Sequence, residues 1–109
     1  MDYETQLALK ILNEDISLHR LRLQKPEHTS LKYLRFLAND IWNKEDMMRD
    51  MQLANPSKAA LAEHIHRIDT QYIPSHNTKE KTTHDETWIK NYRFLKDMLR
   101  QRIGNSTNP

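Results

Sequence analysis

His64, His66, His76 and His84 all fall in the stretch "AEHIHRIDTQYIPSHNTKEKTTHDE", from Ala62 to Glu86, and Asp85 and Glu86 directly follow the last of them. Imidazoles and carboxylates hold transition metals and move protons near neutral pH. The types are therefore right for a metal or acid–base centre, and the spacing decides whether they can act together. A metal needs its ligands within about 2 Å of one point. His64 and His66 are two residues apart, about 200° around a helix, so they point to opposite sides. Helical zinc pairs use i, i+4 instead. Ile65, Ile68 and Tyr72 follow the helical period. This puts His64 on the border of a core and His66 in solvent. The candidate metal set is His64, His84 and Asp85, which converge only if the polar loop before His84 folds back.

The dipeptide His84-Asp85 is similar to that of metal-dependent HD phosphohydrolases. Those domains need a further upstream His and a downstream Asp around the metal, in a larger helical fold. Here the pair opens a helix after a polar loop in a short chain, so that family's site is not carried over. The run "SKAALAEHIHRI" resembles the first helix of a helix-turn-helix. That motif demands a turn of three or four residues before the reading helix. The turn would fall at His66, yet the next helix starts about ten residues after Tyr72.

Four segments carry apolar spacing. Over 3–24, Leu9, Leu12, Ile16, His19 and Leu23 share a helical face, with Leu7, Ile11 and Leu18 on a neighbouring ridge. Pro26 stops this helix. A second helix runs from about Leu31 to Leu53, with Thr29 or Ser30 as N-cap. Its seam is Leu34, Leu37, Ile41, Met48 and Met51; Tyr33, Phe36 and Met47 lie beside it, and Trp42 flanks Ile41. The pairs Glu14-Asp15 and Glu45-Asp46 fall on polar faces. A short connection between two long helices favours an antiparallel pair.

Asn55-Pro56 ends the second helix and Ser57 caps a third, with Leu61, Ile65, Ile68 and Tyr72 as its seam and Pro74 as its stop. Residues 74–83 hold no apolar side chain and read as a loop. The last helix starts near His84, with Thr83 and Glu86 as a capping box. Its seam is Trp88, Tyr92, Leu95 and Leu99, flanked by Ile89, Met98 and Ile103, and Gly104 suits its C′ position.

Composition narrows the function. The single Gly rules out glycine-rich phosphate loops and argues against tight hairpins. Without Cys there are no disulfides, thiolate nucleophiles or cysteine zinc sites. No apolar run approaches the roughly 18 residues of a membrane span. "MDYETQ" lacks signal-peptide character, so a cytoplasmic location is expected. The apolar fraction, 37%, is low for a globular domain, so burial of a face by another chain is expected. Charge is segregated. Residues 1–16 are acidic, while 17–37 and 87–109 are basic.

These readings combine into an all-α protein: a small bundle of three to four helices, the first two long and antiparallel. Residues 1–104 form one domain and 105–109 a disordered tail. The expected function is non-enzymatic, regulatory or inhibitory binding through protein–protein contact, of a kind compatible with phage or mobile-element regulators, with a protein partner or a second copy of the chain. No cofactor is expected. The expected interface is Trp42, Met47, Met48 and Met51 with Leu7, Ile11 and Leu18, because adaptable methionines beside a Trp suit a contact surface. The alternative is a nucleic-acid-binding regulator using Lys90, Arg93, Lys96 and Arg100, which recur at helical spacings that permit phosphate contacts. Cations near a helix C-terminus also complement its dipole, and that alone accounts for much of the pattern.

Overall fold

A computed structural model of the chain describes residues 2–25 and 30–109. Helix α1 spans Tyr3–Leu23, α2 Leu31–Gln52, α3 Lys58–Arg67, α4 Ile73–His76 and α5 Thr83–Asn105. A π-helical turn, Ile68–Tyr72, joins α3 to α4. The architecture is all-α, and the two long leading helices pack against each other. Among the described residues there is no strand, and no helix is long and apolar enough to cross a membrane. The chain divides into two compact units, Met1–Arg49 and Asp50–Pro109.

In the first unit, Asp2 caps α1 by accepting the Thr5 amide at 2.7 Å, which satisfies one of the end donors a helix leaves open. The buried face of α1 is Thr5, Ala8, Ile11, Leu12, Asp15, Ile16 and His19, in steps of three and four. Ile11 thus belongs to the core rather than to an outer ridge, while Leu7 and Leu18 are half-buried. On α2 the buried positions up to Arg49 are Leu37, Asp40, Ile41, Lys44 and Met47. Met47 takes the inward position expected for Met48, which is half-buried beside it. The physical reason is register. Inward steps of 37, 41, 44 and 47 include two consecutive threes, and a one-residue drift moves a side chain by about 100°. The expected stop at Pro26 and the N-cap at Thr29 lie outside the described residues.

In the second unit, Ser57 caps α3 as expected, its hydroxyl accepting the Ala60 amide at 3.3 Å. Leu61, His64, Ile68 and Tyr72 form the buried face of α3 and its extension. They meet Trp88, Ile89, Tyr92, Leu95, Met98 and Leu99 of α5, the seam read from the sequence. Pro74 does not close the helix. The widened turn precedes it and Pro74 sits in the first turn of α4, where a missing N–H costs no helical bond. Carbonyls around this turn find hydroxyl donors: Thr70 Oγ1 donates to His66 O and Ser75 Oγ to Tyr72 O, both at 2.7 Å.

The capping box of α5 lies one residue earlier than expected. Thr82 Oγ1 accepts the Asp85 amide at 3.1 Å, and Asp85 Oδ2 accepts the Thr82 amide at 3.1 Å. Gly104 is not a left-handed C′ residue. The helix runs through it to Asn105, and no described residue has positive φ.

The expected disordered tail is instead docked on the start of α3. Lys58 N donates to Asn108 O at 2.9 Å and Ala59 N to Pro109 O at 3.0 Å. Ser106 is buried, with its hydroxyl against Pro56 O and Asn55 Oδ1. Asn55 also accepts from Thr107 N at 3.0 Å. The end amides of α3 want acceptors, and a polar tail without apolar content can supply them.

Candidate functional site

The largest buried polar group is a four-residue cluster of α1 and α2. Asp15 and His19 are one turn apart on α1; Asp40 and Lys44 are one turn apart on α2. Lys44 Nζ donates to Asp15 Oδ2 at 2.8 Å and to Asp40 Oδ2 at 2.7 Å. His19 Nε2 donates to Asp40 Oδ2 at 2.6 Å, and its Nδ1 meets Asp15 O at 2.9 Å. Lys44 is 1% exposed. Burial pushes the His19 imidazole toward the neutral form, but the hydrogen bonds to Asp15 and Asp40 outweigh it and raise its pKa to about 9. Burial also pushes the Asp40 carboxyl upward. The His19 hydrogen bond and the Lys44 charge outweigh that and hold it below its ordinary value. At neutral pH His19 is therefore held cationic and Asp40 anionic, each against the opposite charge. Both His19 nitrogens and the Lys44 ammonium are already engaged and buried, so the cluster's role is structural. Asp15, expected on a polar face, is one of its two carboxylates. The signal was in the sequence: two i, i+4 pairs of opposite charge, each falling among apolar seam positions.

The candidate metal residues are not brought together. His64 Nε2 donates to Asp50 Oδ2 at 2.7 Å, while Arg67 donates to its Nδ1 at 3.2 Å. Asp85 pairs instead with His76, whose Nδ1 lies 2.8 Å from Asp85 Oδ1. That hydrogen bond, with those from Thr82, holds the Asp85 carboxyl down at about 2. His84 stacks edge-on between His76 and Trp88, with ring centroids 6.0 and 6.3 Å away. Among the described residues no three His, Asp or Glu side chains form a metal-holding group.

The basic face of α5 is smaller than its sequence suggests. Lys96 Nζ is bound to Asp69 Oδ1 at 2.7 Å, and Arg100 lies 3.9 Å from Asp97. Lys90 and Arg93 are exposed and, with Lys81, line a shallow groove whose walls include Ile73, Ile89 and Glu86.

The expected apolar interface also divides. Met47, Met51 and Ile11 are core residues, at most 8% exposed, and offer no surface. They fill inward seam positions, where burial of a large apolar side chain contributes about 1.5–3 kcal/mol. Trp42 is 69% exposed. Phe36 and Leu31, also on α2, are exposed as well. The sequence reading named Trp42 and left Leu31 and Phe36 aside, since their place follows only from which face of α2 turns inward.

Compared with protein-family models, curated proteins and solved structures, the chain matches none. What the fold and its sites define is a class: an all-α protein with a buried charge cluster and an aromatic side chain held outward on its second helix.

Proposed function

We propose that this is a non-enzymatic binding protein, regulatory or inhibitory in role, that works by protein–protein contact through the outward face of α2. The observation that carries the reading is the exposure of Trp42. Tryptophan is highly buried on average, and where it stands at a surface it is the residue type most enriched among the hot spots of interfaces. Leu31, about 20° from Trp42 around α2, is exposed on the same side of the helix. Burying an indole on a partner removes a large apolar area from water at little cost in side-chain entropy.

The occupant this reading favours is a second copy of the chain, which would supplement a low apolar content. Sedimentation equilibrium of the wild type and of Trp42→Arg tests it. A dimer that the substitution converts to monomer, with helicity unchanged, supports the reading. A wild type that stays monomeric at high concentration overturns self-association. A dimer that Trp42→Arg leaves intact overturns this face.

The exposed pair Lys90 and Arg93, joined by Lys81 at one groove, favours a second reading, nucleic-acid binding through α5. Phosphate contacts weaken steeply with salt. A mobility shift at low salt that disappears at moderate salt and in Lys90→Glu/Arg93→Glu would support it. Absence of any shift at low salt would sink it.

A further inference from the structure

The histidine-rich stretch contains one arrangement that protein–protein contact leaves unused. His76 ends α4 and His84 lies in the first turn of α5; the polar segment 77–82 returns the chain so that their rings come within 6.0 Å, centroid to centroid. Two imidazoles that share one ion, each nitrogen about 2.0–2.1 Å from it, have centroids roughly 5–6.5 Å apart. The 6.0 Å separation of the two rings, now in edge-on contact, falls within that range.

A second, independent feature concerns His76 alone. Its Nδ1–H is donated to Asp85 Oδ1 at 2.8 Å. Asp85 Oδ2 is in turn held by the Thr82 amide and hydroxyl, at 3.1 and 3.0 Å. A carboxylate that accepts from one imidazole nitrogen fixes the tautomer and leaves the other nitrogen, Nε2, as a lone pair. This is the support that metal-bound histidines usually have. His76 also packs against Tyr92, centroids 5.8 Å apart, and this steadies the ring. His84 is exposed, so its ring can turn toward His76 without repacking any core residue.

We propose that His76 and His84 form a two-histidine site for a late first-row divalent metal, zinc, nickel or copper, with Asp85 orienting His76 and water filling the remaining positions. Imidazole ligation selects these ions over magnesium and calcium, which prefer oxygen. With only two protein ligands the site is open and its affinity modest.

Zinc titration of the full chain, followed by calorimetry and by the NMR signals of the histidine rings, tests the proposal. One equivalent should bind, with the His76 and His84 ring signals shifting together and that of His66 unmoved. His84→Ala should weaken binding at least tenfold. Asp85→Asn, which keeps an acceptor for the Thr82 amide, should weaken it by about tenfold or more, the usual effect of losing such a carboxylate. His66→Ala and replacement of zinc by magnesium serve as controls. His84 is exposed and its variant keeps the fold, which circular dichroism verifies. Ring signals unmoved at millimolar zinc would overturn the proposal. So would zinc binding that His84→Ala leaves unchanged or that His66→Ala weakens equally.

Discussion

Replacing Lys44 by Met keeps the length of the side chain and removes its charge. The ammonium lies 2.8 and 2.7 Å from two buried carboxylates. Without it, two anions share one imidazolium and a net negative charge stays buried. At an effective dielectric constant of about 20, each close pair is worth on the order of 4 kcal/mol. Part of this is returned, because the Lys44–His19 repulsion and the cost of burying the ammonium both disappear. The net loss expected for breaking a buried ion pair is about 3–5 kcal/mol. That is a large share of the total stability of a typical domain, about 5–15 kcal/mol. In a urea titration followed by helical circular dichroism, the midpoint should fall by roughly 2 M with little change in slope.

Two companion measurements separate charge from packing. In Lys44→Met the His19 pKa should move above about 9, because Lys44 lowers it in the wild type, and the Asp40 pKa should rise. The quadruple variant Asp15→Leu/His19→Phe/Asp40→Leu/Lys44→Met should recover most of the stability, since an apolar replacement of a whole buried ion cluster is often neutral or better. A single-variant loss below about 1 kcal/mol, or a quadruple variant as unstable as the single one, would refute the electrostatic account.

Three further outcomes follow from the geometry. His19 has a raised folded pKa, so its contribution is complete below about 6.5 and disappears as pH rises through about 9. Asp40 has a lowered one, so its contribution is present above 3.8 and disappears as pH falls through the lowered value. Urea midpoints should thus plateau between about pH 4 and 6.5. By pH 10 the protein should lose on the order of 3 kcal/mol through His19, and His19→Gln should flatten that alkaline limb. Met47→Ala should cost about 2–5 kcal/mol, as a core truncation, while Trp42→Ala should change the stability of the isolated chain by less than about 0.5 kcal/mol; thermal melts compare them directly. Asn55→Ala should release the C-terminal segment, raising hydrogen exchange at the Lys58 and Ala59 amides and costing about 1–2 kcal/mol.

Much of the fold was readable before any tertiary information. The α5 seam from Trp88 to Leu99, the Ser57 cap and the opposed directions of His64 and His66 are set by helical period and capping chemistry. These act over three or four residues and so are written in adjacent sequence. Boundaries slipped where two neighbours could serve the same purpose: Thr82 took the cap expected of Thr83, and Met47 the inward place expected of Met48. Pro74 misled for a related reason. Its ring forbids a helix interior, but a widened turn converts that interior into a first turn.

The sites were a different matter. Asp15 and Asp40 each have a partner one turn away on their own helix, but the cross-helix contacts, His19 to Asp40 and Lys44 to Asp15, exist only once α1 and α2 pack. Asn55 and Ser106 are about fifty residues apart, and nothing local foretells their hydrogen bond. His76 meets Asp85 and His84 only because segment 77–82 turns back. The sequence by itself determined where helices form and which stripes are apolar, since local backbone geometry governs both. Only the tertiary structure decided which charges are buried together and which aromatic side chain is left outside. Those outcomes depend on long-range contacts, whose free energy exists only once the helices have packed.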